Sequence, residues 1–137
     1  MVKISERAAK ANKGPRIRAK DCSDVVDYRK RRPLFSLIHV RKSHCITDCE
    51  IADKAHFAEM LRKLSDFTWQ ELYNTQSHGL GCEPIDHLNV TIPNHLSKET
   101  KFIAFRFSGK KAMVGHRVED VFHILWFDRK FNVYDHG

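Results

Sequence analysis

Apolar, β-rich runs broken by short polar links mark the last third of the chain, from Lys101 to His136. Four β-rich runs occur there, Phe102–Phe107, Ala112–Val118, Val121–Phe127 and Phe131–Tyr134. Short polar breaks separate them, at Ser108 to Lys111, Glu119-Asp120 and Asp128 to Lys130. Runs of this length and composition, spaced by tight polar links, predict an antiparallel meander. Upstream, Leu34–Val40 predicts a first strand of the same sheet, and Leu88–Ile92 an edge strand.

The period changes between Ile51 and Phe67. Ile51, Ala55, Ala58, Leu61 and Leu64 recur three and four residues apart, flanked by Phe57, Met60 and Phe67. This is the spacing of an amphipathic helix, with Lys54, Glu59, Arg62 and Lys63 outward and Asp48 or Asp53 placed to cap it. Thr68 followed three residues later by Glu71 is a capping-box pattern and predicts a second helix from Trp69 to about Thr75. The expected fold class is α+β: an antiparallel four- to five-stranded sheet with two helices packed on one face.

Two-residue hairpin loops at 109–110, 119–120 and 129–130 would align the meander. One face then carries the row Ile103, His116, His123, His136, beside the row Phe105, Val114, Leu125, Tyr134. Arg106, with Met113, Trp126 and Val133, and Arg117, with Phe102 and Phe122, fall on the opposite face. Three histidines in one row invite three readings. Paired imidazoles can act as general base and acid near neutral pH, with cations stabilising charge on a reacting phosphate. Three imidazoles can bind zinc and leave a position open, which would make a metal-dependent hydrolase. Otherwise they are stacked rings in a half-buried sheet.

Charge divides the chain. Residues 1–32 hold 11 Lys/Arg against 4 Asp/Glu, so the whole formal net charge of +7 lies there; residues 33–137 hold 13 of each and are neutral. The expectation is a flexible basic N-terminal arm, residues 1–32, on a single α+β domain, residues 33–137. Such an arm points to a polyanion, most simply nucleic acid, with Arg29, Lys30, Arg31 and Arg32 as phosphate contacts. Lys110 and Lys111, in the first hairpin turn, and His78, in the loop His78-Gly79-Leu80-Gly81-Cys82-Glu83-Pro84, are further substrate-contact candidates. That loop serves equally as a plain connector.

The first 30 residues contain no apolar segment of signal-peptide type, and no run approaches a membrane span, so cytoplasmic residence without membrane association is expected. Cysteines there stay reduced. His44, Cys45, Cys49 and Cys82 match zinc knuckles poorly, because the close pair is Cys-x-x-x-Cys and the fourth donor is remote. No cofactor is expected.

One strand, two helices and a C-terminal meander, with Phe105-Arg106-Phe107, then Gly115-His116-Arg117, then a terminal Tyr134 and His136, resemble the RelE/ParE/HigB family of small toxins. The resemblance covers roughly residues 34–136 and implies a RelE-like fold and a metal-independent endoribonuclease of toxin–antitoxin type. RNA, free or ribosome-bound, would be the target and an antitoxin protein a partner. Carried over, Arg106 and Arg117 are phosphate contacts, and His116, Tyr134 and His136 handle protons, with His123 joining them from the row. The competing class is a non-catalytic nucleic-acid-binding or phage/mobile-element accessory protein whose arm does the binding.

Overall fold

A computed structural model describes residues 25–74 and 80–135. The elements are β1 (Leu34–Ser36), α1 (Ile51–Leu64), α2 (Trp69–Asn74), β2 (Glu83–Ile85), β3 (Phe102–Ser108), β4 (Lys111–Val118) and β5 (Val121–Asp128). Short 3-10 turns lie at Tyr28–Lys30, Lys42–His44 and Ile46–Asp48. The five strands form one sheet in the order β1-β5-β4-β3-β2. The fold is α+β, with a mixed and mostly antiparallel sheet. The parallel member is β1, which pairs with β5 as Leu34↔Val121, Phe35↔Phe122 and Ser36↔His123.

The sheet has an apolar layer on each face. The helix side joins Ile103, Phe105, Phe107, Met113, Phe122, Ile124 and Phe127 to Leu64, Trp69 and Leu72, with Phe57, Met60 and Leu61 packed against them. The second side joins Phe102, Ala104, Val114, Leu125 and Trp126 to Val133 and Tyr134, covered by Ile85, Leu88, Val90, Ile92 and Leu96. Helices cover one face and irregular chain the other.

The inner stripe of α1 differs from the expected one. Ile51 is 84% exposed, and Ala55 and Ala58 are exposed too. Asp53, Phe57, Met60, Leu61 and Leu64 face inward instead. A carboxylate can hold that place because partners satisfy it: Ser108 Oγ donates to Asp53 Oδ1 at 2.7 Å and Lys111 Nζ to Oδ2 at 2.7 Å. Asp53 therefore anchors the helix to the β3–β4 hairpin; the N-cap residue is Glu50, which makes no side-chain cap bond. The capping box of α2 forms as expected, with Thr68 N donating to Glu71 Oε1 at 2.8 Å and Glu71 N to Thr68 Oγ1 at 3.2 Å.

Both tight hairpins occur where expected, closing on Ser108↔Lys111 and Val118↔Val121. Each ladder then shifts by one residue. The β3–β4 register changes between Arg106 and Ser108, so Ile103 faces Gly115, not His116. A bulge of this kind carries a whole strand to the other face. Ile103 and Phe105 lie on the helix side, and Arg106, between Phe105 and Phe107, lies on the side of His116. The β4–β5 register changes beyond Gly115↔Ile124, leaving Leu125 and Trp126 on one side. Gly115 makes this close pairing possible, since a Cβ there would run into the His123 carbonyl.

The fourth meander strand, Phe131–Tyr134, does not form, and neither does the edge strand Leu88–Ile92. The buried Asp128 carboxylate accepts from Asn132 N at 2.8 Å and Val133 N at 3.2 Å, taking amides a hairpin would need. Phe131 has φ +58°, which turns the chain out of extended geometry. The two segments meet instead: Asn89 N donates to Val133 O at 2.7 Å and Asn89 Nδ2 to Asp135 Oδ1 at 3.0 Å. The position beside β5 goes to β1.

Candidate acid–base site

His116 on β4 and His123 on β5 are direct cross-strand partners, as the hairpin spacing predicts. Their rings stack with centroids 5.3 Å apart and an interplanar angle of 24°. The row does not continue through Ile103, which the β3 shift carries to the other face. It continues through two histidines from outside the meander. His39, in the turn after β1, lies 5.3 Å from His123, and His95, in the loop covering the second face, lies 4.6 Å from His39. Four imidazoles thus form a chain, His95–His39–His123–His116, closed at its inner end by the edge of Phe102.

Exposure falls along this chain. His95 is exposed, His39 and His123 are half-buried, and His116 retains 8% of its surface. His116 Nε2 and His123 Nδ1 are buried with no hydrogen-bond partner among the described residues. Burial lowers the His116 pKa to about 4, reinforced by charge repulsion from His123, His39 and His95. Burial also lowers that of His123, with His39 and His95 adding to the effect. Both inner rings are neutral at physiological pH. They can take a proton or donate an N–H hydrogen bond, but they do not supply cationic charge.

The other predicted site residues separate into groups. Tyr134 and Arg106 share the face of the histidines, but toward the far end of the sheet. Tyr134 is buried, and burial together with the charges of Glu83 and Asp128 pushes its pKa to about 12, with Arg106 opposing. It lines an open pocket with Glu83, Asp86 and Asp135, surroundings that repel a phosphate. Arg117 lies on the helix side, as the predicted register has it. Its guanidinium packs 5.2 Å from the Trp69 ring and 5.6 Å from the Tyr73 ring, and its Nε donates to Glu119 O at 2.7 Å. Lys111 is held by Asp53, so both cations are engaged in packing and do not face the imidazoles. Lys110 is exposed at the β3–β4 turn, at the opposite end of β4 from His116. His78 and His136 lie outside the described residues.

The basic run stands at the histidine end. Arg31 O accepts from Trp69 N at 2.9 Å, and Leu34 N donates to Asp120 O at 2.9 Å. Arg31 also pairs with Asp120 at 3.7 Å, and Trp69 Nε1 donates to Asp120 O at 3.0 Å. Together these tie Arg29–Arg32 to the β4–β5 turn, a few residues from His116 and His123. Arg29 is turned back on Asp27, with Nε–Oδ1 3.1 Å, while Lys30 and Arg32 are exposed.

A second polar chain, missed in the sequence, crosses the helix side. Ser108 has one hydroxyl proton, and it goes to Asp53. The 2.8 Å contact of His56 Nδ1 with Ser108 Oγ therefore requires the proton on His56 Nδ1. Among the cysteines, burial raises the pKa of Cys49 and pushes that of Cys82 to about 11, which disfavours thiolate ligands. His44 bonds Ser43 and Asn132. Among the described residues, no group of three or more His, Cys, Asp or Glu is placed to hold a metal ion.

His39 and His95 carried no local signal, since neither sits in a motif and they are far apart in sequence. Pairing β1 with β5 was the only route to His39. Also among the described residues, no helix is long and apolar enough to cross a membrane. Comparison of the chain with protein-family models, with curated proteins and with solved structures returned no match.

Proposed function

We propose that this protein is a small RNA-directed endoribonuclease whose proton-handling group is the imidazole chain and whose phosphate-holding group is the basic run Arg29–Arg32. The observation that carries this reading is the chain of four graded imidazoles, with the cationic segment tied from the helix side to the β4–β5 turn that joins the strands of His116 and His123. A neutral imidazole, His123 or His39, takes the proton of a ribose 2′-hydroxyl. The 2′-oxygen then forms its bond to phosphorus as the bond to the 5′-oxygen breaks. An outer ring, His95 or His39, gives a proton to the departing 5′-oxygen, leaving a 2′,3′-cyclic phosphate and a free 5′-hydroxyl. Arginines at the phosphate offset the developing charge. His116 is a positioning residue, stacked behind His123. The order of one strand, two helices and a meander supports the toxin-type resemblance as part of this proposal, while Arg106, Arg117 and Tyr134 take no part in it.

Cleavage of a labelled RNA oligonucleotide in the presence of a chelator tests this. His39→Ala and His123→Ala should each lower the rate by about 100-fold or more, the range of a lost acid or base. Tyr134→Phe should leave it unchanged. Cleavage at the wild-type rate by both histidine variants would sink the assignment. A non-catalytic binder is the second reading, favoured by the confinement of net charge to residues 1–32. It predicts salt-sensitive RNA binding with no cleavage by the unaltered chain.

A further inference from the structure

The two edges of the sheet are treated differently. At one edge, β2 reads Glu83-Pro84-Ile85, with a charge and a proline that discourage another strand. At the other, β1 and the turn after it read Leu34-Phe35-Ser36-Leu37-Ile38, without charge or proline. Leu34 is 57% exposed, Leu37 49% and Ile38 77%. Leu34 and Ser36 direct their backbone bonds to β5, so the Phe35 amide and carbonyl point away from it, where the described residues place no other strand. An unblocked apolar edge is a template for strand addition.

Charge selects the occupant. Residues 29–42 contain six Lys/Arg and no Asp/Glu: Arg29, Lys30, Arg31 and Arg32 precede the strand, and Arg41 and Lys42 follow it. All six are exposed. Asp27 and Asp120 engage Arg29 and Arg31. A second copy would bring the same cations against themselves. So would residues 1–24 of the same chain, which hold seven Lys/Arg against three Asp/Glu. RNA would complement the charge but not the exposed leucines and isoleucine.

We infer that the outer edge of β1 docks an extended segment of a partner protein, acidic and alternating with apolar residues, which adds to the sheet as a further strand. The inference draws on the same basic run as the endonuclease reading, but it rests on the exposed strand edge and needs no catalysis. Its test uses the full chain and an end-capped octapeptide of alternating Glu and Val, with a Lys–Val octapeptide as control. Binding is followed by fluorescence anisotropy and by amide exchange. The Glu–Val peptide should bind at least tenfold more tightly than the Lys–Val peptide and should protect the Phe35 amide. Ile38→Asp and Leu37→Asp, both at exposed positions, should each weaken binding at least tenfold with the circular dichroism spectrum unchanged.

Absence of binding, or equal binding of both peptides, overturns the inference. So does a Phe35 amide already protected in the free monomer, which would mean that this chain covers its own edge. Protection that grows with protein concentration alongside a dimer in sedimentation would assign the edge to a second copy. Protection by an RNA oligonucleotide in place of the peptide would assign it to nucleic acid.

Discussion

At the scale of single residues, two positions in β4 set opposite demands. Gly115 leaves room for the β5 backbone, and any Cβ would strike the His123 carbonyl. Gly115→Ala should destabilise the fold by about 1–3 kcal/mol, the usual cost of forced overpacking, read as a lower urea midpoint at constant slope. His116 is a buried imidazole with an unpaired nitrogen, so it costs stability. Its folded pKa, about 4, lies below the unfolded value of 6.5, so the unfolded chain binds more protons between them. This group adds no proton-linked penalty above pH 6.5, and the fold loses stability through it as the pH falls toward 4, by at most about 3 kcal/mol. His116→Phe should keep or raise stability at pH 7 and flatten the melting-temperature profile between pH 4 and 6.5. An unchanged profile would show that His116 is not the acid-sensitive group.

At the scale of elements, the two bulges and the C-terminal segment decide what faces what. The extent of β3, β4 and β5 was legible in the sequence, and so were the tight turns, because β-rich composition and turn composition are local. A one-residue bulge is not local: it depends on how β3 packs on α1 through Asp53, Ser108 and Lys111. That shift carried Arg106 to the histidine face and broke the expected row at Ile103. The tail after β5 looks apolar enough for a strand, yet Asp128 turns it back. Asp128→Ala should release the Asn132 and Val133 amides. Their hydrogen exchange should rise toward that of exposed loops while exchange in β3 and β4 stays slow. Unchanged exchange at both amides would mean that other contacts hold the tail.

At the scale of the whole molecule, a neutral body carries a cationic segment fastened at one end of its sheet. If Arg29–Arg32 hold phosphates, replacing all four with alanine should flatten the salt dependence of RNA affinity. Each lost phosphate contact lowers the slope of log K against log salt by about 0.7 for a single strand. An unchanged slope would move the phosphate contacts elsewhere.

By itself, the sequence determined what depends on neighbours along the chain: the extents of the two helices and of β3 to β5, the capping box at Thr68, the two tight hairpins, the pairing of His116 with His123, and the confinement of charge to residues 1–32. Only the tertiary structure decided what depends on distant segments meeting. It placed β1 parallel to β5, brought His39 and His95 onto His123, buried Asp53 under Ser108 and Lys111, and turned Arg117 onto Trp69. The reason is physical. Period and turn chemistry act over a few residues, whereas registry between strands and the company of a buried side chain are set by packing across the whole sheet.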